Sequence, residues 1–186
     1  KDNKILNKLF GKDIIILINN EKNYGKGYSI RKGSKIANGK LVLISDADLS
    51  TPIKEFEKLH KYFLDDFAIV IGSRSLPESE IKIKQPFYRI LAGKVYNILI
   101  RNILKLDFND TQCGFKLFEN SVLKKVIKNA KSNRFGLDLE LIFISKKMKF
   151  KIKEVGVIWK NRRHSSVSFL KDSLVMFFEI LKLLFK

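Results

Sequence analysis

Short apolar runs of strand length alternate with segments of helical periodicity through the first half of the chain. Asp13–Ile18, Leu41–Ser45 and Ala68–Ile71 are nearly continuous apolar runs, a pattern typical of strands buried on both faces. Tyr28–Ala37 and Pro52–Leu64 lie between them and have the spacing of helices. Because strand and helix alternate with short links, the pattern predicts an α/β fold in which helices flank a mostly parallel sheet with right-handed crossovers.

The second half of the chain mixes further helices and strands with longer polar stretches. Helices are predicted over Pro86–Leu104, Ser121–Asn129 and Gly136–Lys147, short strands over Phe115–Phe118, Lys151–Val155 and Val157–Trp159, and polar loops over Ser75–Gln85, Asn109–Gly114 and Lys160–Ser168. With 186 residues in all, the pattern fits a single domain over residues 1–168.

The last segment, 169–186, is almost wholly apolar from Leu174 to Phe185, apart from Glu179 and Lys182. This run is too short to span a bilayer. Its wide apolar face with scattered lysines predicts an amphipathic helix, and two environments stay open for it. It lies in a membrane interface, or it packs on the core of the domain.

Two aspartates one residue apart, Asp46 and Asp48, directly follow the second predicted strand. The carboxyl edge of a sheet is where open α/β folds bind ligands. Two carboxylates suit Mg²⁺ or Mn²⁺, which bind through one or two carboxylates together with substrate phosphates. The alternative is a solvated turn that caps the next helix, with Ser50 or Thr51 as N-cap and Pro52 at the first helical position.

Three other polar clusters follow or adjoin apolar runs: Asn23–Gly27, Gly72–Arg74 and Asp110–Gly114. Asn23–Gly27 is a glycine loop before a helix, a form that can hold phosphate or simply make a tight turn. Asp110–Gly114 packs polar groups between apolar elements, which is costly if they are buried without partners. Asp138 and Glu140 open a helix, either as favourable partners of its dipole or with Asp138 as a carboxylate general base.

The net charge of +18 comes from 37 basic against 19 acidic residues. It favours a polyanionic partner, or it reflects compositional bias, since 30 of the basic residues are lysines spread over the whole chain. Arginines are better indicators of phosphate sites, because a guanidinium binds phosphate bidentately. The seven arginines are Arg31, Arg74, Arg89, Arg101, Arg134, Arg162 and Arg163. The single cysteine, Cys113, excludes an intramolecular disulfide.

Six segments, in this order along the chain, resemble the inverting family 2 glycosyltransferases of the GT-A fold. Within that family the chain resembles the polyprenyl-phosphate sugar transferases, the group of the dolichyl-phosphate glucosyltransferases and mannosyltransferases. The segments are NEKNYGKGYSIRKG, LISDADLSTPI, IGSRSLPES, NDTQCGFKLF, FGLDLELIF and EVGVIWKNRRHSSVS, which lie between residues 20 and 168. The resemblance extends over about residues 14–180.

The resemblance implies a role for each matching position. Asp46 and Asp48 would be the metal-binding Asp-x-Asp that holds the donor diphosphate through Mg²⁺ or Mn²⁺. The other donor-binding residues would be Lys26, Arg31 and Gln112, with Gln112 lining the sugar pocket. Arg74, Arg89 and Arg162 would bind the acceptor lipid phosphate. Asp138 would be the catalytic carboxylate, and with a phosphate acceptor that is already ionised it would only orient groups and balance charge.

Three departures from the family pattern shape these expectations. The family opens with two strands, ending in Pro-x-Tyr-Asn-Glu and Asp-Asp-Gly-Ser, that hold the nucleotide base and ribose, and this chain lacks them. Ser50 stands where the mannosyltransferases carry Gln, which favours a UDP-sugar over a GDP-sugar. The loop His164–Ser168 lacks the family's lysine, for which Arg163 would compensate.

The resemblance therefore implies transfer of glucose from UDP-glucose to a polyprenyl phosphate with inversion. The enzyme would work at a membrane surface, on the cytoplasmic face of the plasma membrane in a prokaryote or of the endoplasmic reticulum in a eukaryote. GDP-mannose as donor, an inactive fragment, and a basic protein that binds anionic membrane stay open as alternatives. Nucleic acid is not expected as a partner, because the aromatics lie in apolar runs such as Phe177-Phe178 and the paired aspartates would have no role.

Overall fold

The computed structural model describes residues 15–83, 86–161, 178 and 181–183, apart from the side chains of residues 88 and 89. The helices are α1 (Lys26–Ile36), α2 (Phe56–His60), α3 (Phe87–Leu104), α4 (Asn120–Asn129) and α5 (Leu137–Lys147), with 3-10 turns at Ile53–Glu55 and Lys61–Asp65. The strands are β1 (Leu41–Ile44), β2 (Ile69–Ser73), β3 (Glu80–Ile83), β4 (Lys116–Glu119), β5 (Ile152–Gly156) and β6 (Ile158–Lys160).

The described strands form a four-stranded sheet in the order β1-β4-β2-β5 and a two-stranded sheet of β3 and β6. In the larger sheet β2 and β5 pair in parallel, whereas β4 runs antiparallel to both β1 and β2. Three of its four strands, β1, β2 and β5, therefore point the same way. The predicted α/β class with a mostly parallel sheet is confirmed, and the reversed strand between β1 and β2 is a feature that local periodicity does not encode.

Apolar side chains cover both faces of the larger sheet. One core contains Ile69 and Ile71 of β2 together with residues of α3, α4 and α5. The other contains Val70 of β2 together with Leu59 of α2 and the aromatic residues around it. Because successive side chains of a strand point to opposite faces, this alternation places α3, α4 and α5 on one side of the sheet and α2 on the other.

Two predicted elements differ from the structure in the first half. Residues 15–18 of the predicted strand Asp13–Ile18 have no regular structure, and they pair with no described strand, while residues 13 and 14 lie outside the described residues. A strand needs a hydrogen-bonded neighbour, and Ile16 and Leu17 are correspondingly exposed. The predicted helix Pro52–Leu64 is a short α-helix between two 3-10 turns, and Pro52 itself is extended (ψ 142°) and precedes the first turn.

The predicted polar loop Ser75–Gln85 contains a strand. Glu80, Ile81, Lys82 and Ile83 alternate in polarity and form β3, which pairs in parallel with β6. All four residues of β3 are exposed. The polar composition therefore hid a strand that is held by backbone pairing rather than by burial.

The predicted C-terminal helix, like the boundary at 168/169, falls almost entirely outside the described residues. Its described positions, 178 and 181–183, are helical, with Leu183 buried in the core and Phe178 exposed. The amphipathic helix over 169–186 stays a prediction. Across the described part of the chain, no helix combines the length and apolarity that crossing a membrane requires.

Candidate active site

The loops that follow β1 and β2 and the loop that precedes β4 meet at one edge of the sheet. β1 and β2 end at this edge, and the antiparallel β4 begins there, with Lys116 in register with both Ile44 of β1 and Ile71 of β2. Asp46 and Arg74 follow the two strand ends, and Gly114 precedes β4. Sheet topology thus brings three sequence-predicted polar clusters together.

Four charged side chains form what we call the carboxylate–lysine cluster: Lys26, Asp46, Lys116 and Asp138. Lys26 Nζ lies 2.8 Å from Asp46 Oδ1 and 2.6 Å from Asp138 Oδ2. Lys116 Nζ lies 2.7 Å from Asp138 Oδ1 and also donates to the carbonyl of Cys113. The structure therefore joins the predicted donor residues Lys26 and Asp46 to the predicted catalytic residue Asp138.

The cluster keeps Asp138 ionised. Burial alone would raise the pKa of the Asp138 carboxyl, but the charges of Lys116 and Lys26 and their hydrogen bonds lower it below its ordinary value. Burial alone would lower the pKa of Lys26, but Asp138 and Asp46 raise it above its ordinary value. A carboxylate with a lowered pKa is a weak base, so Asp138 is better suited to balancing charge than to removing a proton from a hydroxyl.

Lys116 is the cluster member that our sequence analysis missed. It lies in β4, in the middle of the sheet, and its side chain is fully buried. A detectable signal was present, because Lys116 interrupts the apolar run Phe115–Phe118 of a predicted strand. A charged side chain inside a buried strand needs a partner of opposite charge, and Asp138 is that partner.

Gly114 packs directly against the carboxylate of Asp46. A Cβ at this position would overlap the Asp46 carboxyl group. The loop before β4 therefore approaches the Asp-x-Asp turn as closely as a residue without a side chain allows. This contact fixes where the carboxylate of Asp46 can lie.

Asp46 and Asp48 lie on the turn that follows β1, where the carbonyl of Asp46 accepts from the N–H of Leu49 at 3.1 Å. Asp48 Oδ1 accepts from the N–H of Ser50 at 2.9 Å, and its side chain is exposed. Two partly exposed carboxylates fit Mg²⁺ or Mn²⁺, which keep several waters and take phosphate oxygens. The described ranges contain no group of three or more His, Cys, Asp or Glu residues that could hold a metal ion.

The partly exposed Arg74 and the buried Asp110 form a bidentate pair beside this cluster. Arg74 Nε and Nη2 lie 2.6 and 2.9 Å from the two oxygens of Asp110, and the N–H of Arg74 donates to the same carboxylate at 2.9 Å. The guanidinium also lies over the ring of Trp159, 5.5 Å from its centroid. Burial alone would raise the pKa of Asp110, but the charge of Arg74 lowers it below its ordinary value. Arg74, predicted to bind the acceptor phosphate, thus holds the loop before β4.

Several hydrogen bonds hold the loop that carries Gln112. Asp110 Oδ1 accepts the N–H groups of Gln112 and Cys113, both at 3.1 Å. Glu154 of β5 accepts the N–H of Asp110 at 2.8 Å, and the Gln112 amide donates to the Tyr96 hydroxyl of α3 at 3.3 Å. The predicted sugar-pocket residue Gln112 therefore lies on a loop that hydrogen bonds hold between the sheet and α3.

The glycine loop before α1 packs against the loop before α5. Gly25 has a positive φ of 99°, and a Cβ at Gly25 or Gly27 would overlap the backbone around Asn133. Arg31 donates to the carbonyl of Ala130 at 3.1 Å and contacts Asn133. The glycines therefore permit close packing of two segments, and the hydrogen bonds of Arg31 hold these segments together.

Two predicted acceptor residues cannot be placed against these groups. Arg89 belongs to α3, but its side chain is among those that the structure does not describe, and Arg162 lies outside the described residues. The loop His164–Ser168 also lies outside them. Their roles stay predictions.

The geometry described so far has a counterpart in known proteins. The family model named Glycosyl transferase family 2 matches residues 2–127, more than half of the chain. The chain belongs to glycosyl transferase family 2. The resemblance stated from the six sequence segments is confirmed.

Several named proteins are similar to this chain in amino-acid sequence. The dolichyl-phosphate beta-glucosyltransferase of Dictyostelium discoideum is 30% identical over 177 residues, which are 92% of this chain and 54% of the relative. The dolichyl-phosphate beta-glucosyltransferase ALG5D of Trichomonas vaginalis is 39% identical over 152 residues, which are 78% of this chain and 46% of the relative. The human dolichyl-phosphate beta-glucosyltransferase is 33% identical over 156 residues, which are 81% of this chain and 48% of the relative. The chain spans about half the length of the curated relatives it matches.

Solved structures of nucleotide-sugar transferases have the same fold. Glucosyl-3-phosphoglycerate synthase from Mycobacterium tuberculosis, in complex with Mn²⁺, UDP-glucose and phosphoglyceric acid, superposes with a TM-score of 0.65 at 15% identity, covering 99% of this chain and 65% of that one. Mannosyl-3-phosphoglycerate synthase from Rubrobacter xylanophilus superposes with a TM-score of 0.58 at 17% identity, and the superposition covers 86% of this chain and 50% of that one. At such identities the likeness shows the fold alone, and the predicted GT-A fold is confirmed.

Proposed function

We propose that this chain is the donor-binding domain of a glycosyltransferase that transfers glucose from UDP-glucose to a dolichyl-type polyprenyl phosphate, with inversion at the anomeric carbon. The observation that carries the proposal is the carboxylate–lysine cluster, in which ionised Asp138 is held by two lysines beside the Asp-x-Asp turn. The names of the relatives, dolichyl-phosphate beta-glucosyltransferases, support this sugar and this acceptor.

The charge state of Asp138 supports an acceptor that needs no deprotonation. A carboxylate with a lowered pKa removes a proton from a sugar hydroxyl poorly. A phosphate monoester, with a second pKa of about 6, is already largely dianionic at neutral pH. Asp138 then orients Lys26 and Lys116 and balances their charge, while a phosphate oxygen serves as the nucleophile without a base.

The donor end of the site consists of Asp46, Asp48 and Lys26. Asp46 and Asp48 would hold Mg²⁺ or Mn²⁺, which when bound neutralises charge on the diphosphate of the donor. A solved structural neighbour contains Mn²⁺ together with UDP-glucose, which supports this choice of metal and donor. Lys26 supplies a cation at the same edge, and Arg31 acts on the donor side by fastening the glycine loop.

In the proposed reaction an acceptor phosphate oxygen forms a bond to the anomeric carbon of glucose. The bond from that carbon to the β-phosphate oxygen of UDP breaks, and UDP leaves with its electron pair. Attack from the opposite face converts an α-linked donor into a β-linked product. The contribution of the protein is positioning and electrostatic stabilisation, for which Gln112 on its fastened loop would orient the sugar.

The acceptor phosphate is proposed to lie near the predicted arginines. Arg74 gives Nε and Nη2 to Asp110, so its contact with a phosphate would use the remaining nitrogen, Nη1. Arg89 and Arg162 would complete the set. A lipid acceptor also implies that the reaction takes place at a membrane surface. The proposal places it on the cytoplasmic face of that membrane.

A transfer assay tests this proposal. Labelled UDP-glucose or GDP-mannose is incubated with a short-chain polyprenyl phosphate and Mn²⁺, or with EDTA, beside Asp48→Ala and an Asp65→Ala control. Asp65 is an aspartate after α2, outside the described site. The chain is assayed alone and joined to the part of the Dictyostelium relative that it does not match, since the match covers 54% of that protein.

We expect transfer from UDP-glucose that needs metal, survives in Asp65→Ala and is lost in Asp48→Ala. Transfer from GDP-mannose alone would overturn the choice of donor. A folded protein that binds UDP with Mn²⁺ but transfers neither sugar to a polyprenyl phosphate would overturn the choice of acceptor.

A further inference from the structure

The carboxylate of Asp46 has two close neighbours in the described structure. Lys26 Nζ lies 2.8 Å from Asp46 Oδ1. The loop before β4 packs so closely that a Cβ on Gly114 would overlap both carboxylate oxygens. The Asp46 side chain is still 38% exposed, so an ion from solvent can reach it. One of the two predicted metal ligands therefore already holds a cation, the ammonium group of Lys26.

Lys26 lies between two carboxylates and can leave one of them while it keeps the other. Its Nζ also lies 2.6 Å from Oδ2 of the buried Asp138. Lys26 is the first residue of α1, between Gly25 and Gly27, which pack against the backbone around Asn133. This packing fixes the backbone of Lys26, whereas its four-carbon side chain has rotatable bonds and three donors. A change of partner therefore needs a side-chain movement alone.

We propose that Lys26 occupies the carboxylate of Asp46 until the donor diphosphate draws it away, so that Lys26 controls when Asp46 accepts Mg²⁺ or Mn²⁺. The inference rests on the proposed function, in which this carboxylate binds the metal of the donor complex. A divalent ion on Asp46 would face the ammonium group at the same carboxylate, and like charges repel. The ion and the Lys26–Asp46 pair therefore exclude each other.

A nucleoside diphosphate removes this conflict, because it is an anion that attracts both cations. Lys26 can leave Asp46 for a phosphate oxygen and keep its contact with Asp138, and the released carboxylate oxygen can then take the metal. The metal and the diphosphate thus assist each other's binding, and this coupling is reciprocal. Beyond the donor contact that the sequence predicts, Lys26 couples metal binding to nucleotide binding.

Mn²⁺ binding to the purified chain, measured by electron paramagnetic resonance with and without UDP, tests this role. Lys26→Met removes the ammonium group from both carboxylates, and Lys26→Arg keeps a cation there. Lys116→Met is the matched control, since Lys116 Nζ lies 2.7 Å from the same Asp138 but its contacts in the described structure are with Asp138 and the Cys113 carbonyl. Circular dichroism verifies folding. If Lys26→Met does not fold, Lys26→Gln replaces it, because the amide keeps a donor without the charge.

Without UDP we expect Lys26→Met to bind Mn²⁺ at least about fivefold more tightly than the unmodified chain, because no ion pair has to be broken. Lys26→Arg should bind it as weakly as the unmodified chain. UDP should tighten Mn²⁺ binding to Lys26→Met by a factor at least about fivefold smaller than in the unmodified chain. The measurements are repeated in 1 M KCl, where the Debye length is about 3 Å and distant charges are screened.

Equal Mn²⁺ affinity of Lys26→Met and the unmodified chain would overturn the proposal. A gain that Lys116→Met or Lys26→Arg shares in full would also overturn it, and so would a gain that disappears in 1 M KCl, since the effect would then be one of general charge. Absence of Mn²⁺ binding in every form would show that Asp46 does not hold the metal.

The glucose transfer assay keeps this proposal separate from the proposed function. Tighter Mn²⁺ binding by Lys26→Met, without glucose transfer by the unmodified chain, would support the role of Lys26 and overturn the proposed function. Transfer by the unmodified chain, with no change in the Mn²⁺ affinity of Lys26→Met, would overturn the role of Lys26 and leave the proposed function standing.

Discussion

Replacing Lys116 by methionine tests whether a buried lysine holds Asp138 in place. Methionine keeps an unbranched side chain of similar size but removes the charge and the hydrogen-bond donors. In the unmodified protein, Lys116 Nζ is fully buried, 2.7 Å from Asp138 Oδ1, and donates to the carbonyl of Cys113. After the substitution Asp138 keeps Lys26 alone, and the Cys113 carbonyl loses this donor.

The expected loss of stability follows from the burial of the pair. Removing one partner of a buried ion pair lowers the free energy of unfolding by about 3–5 kcal/mol, because the remaining charge is poorly compensated. Lys26 stays 2.6 Å from Asp138, so we expect the lower end of this range, about 3 kcal/mol. Each kcal/mol shifts the melting temperature of a domain of this size by roughly 2–4 °C, which gives a fall of roughly 6–12 °C.

Thermal and urea denaturation followed by circular dichroism measure this loss. Lys151→Met is the matched control, because Lys151 lies 2.8 Å from Asp66 in a pair whose two side chains are exposed. Exposed pairs contribute little, so the control should melt close to the unmodified protein. The double variant Lys116→Met/Asp138→Asn removes both buried charges and should be more stable than Lys116→Met alone.

The pH dependence gives a second readout with a defined sign. The folded-state pKa of Asp138 lies below the ordinary value of 3.8, so its stabilising contribution is fully present above that pH and is lost as the pH falls through the folded-state value. The stability difference between Lys116→Met and the unmodified protein should therefore be full at neutral pH and shrink below pH 3.8. If Lys116→Met melts like Lys151→Met, or if the double variant shows the sum of both single losses, the reasoning about this pair is wrong.

Three further predictions concern the same edge of the sheet. Gly114→Ala should displace the carboxylate of Asp46 and weaken metal-dependent UDP binding in calorimetry with little change in melting temperature, and unchanged binding would contradict the contact. Burial, and to a smaller extent the charge of Asp110, raise the pKa of the Cys113 thiol to about 11. A disulfide reagent at neutral pH should therefore label Cys113 only after the protein unfolds, and rapid labelling of the folded chain would contradict its burial. Arg74→Lys cannot form the bidentate pair with Asp110 and should lower the free energy of unfolding by roughly 1.5–3 kcal/mol in urea denaturation, whereas a neutral effect would show that the pair is dispensable.

The sequence by itself determined the elements and motifs that lie within contiguous stretches. The apolar run of β1 ending in Asp46 and Asp48 was readable because strand burial and strand ends leave a local pattern. The order of six motifs was sufficient for the family, and the family model confirms it over residues 2–127. The polarity of the sequence did not predict β3, because this exposed strand is defined by its pairing with β6 and not by burial.

Only the tertiary structure decided which charges meet. Lys26 and Asp138 are 112 positions apart and Lys116 and Asp138 are 22 apart, and no periodicity connects them. Lys26 and Asp138 reach the edge of the sheet from the first turns of α1 and α5. Lys116 reaches this edge because β4 runs antiparallel between β1 and β2 and begins where those two strands end. The same placement buries Lys116 in the sheet, where a cation is stable only beside an anion. The charge state of Asp138, on which the proposed phosphate acceptor depends, therefore follows from the tertiary arrangement and not from any single motif.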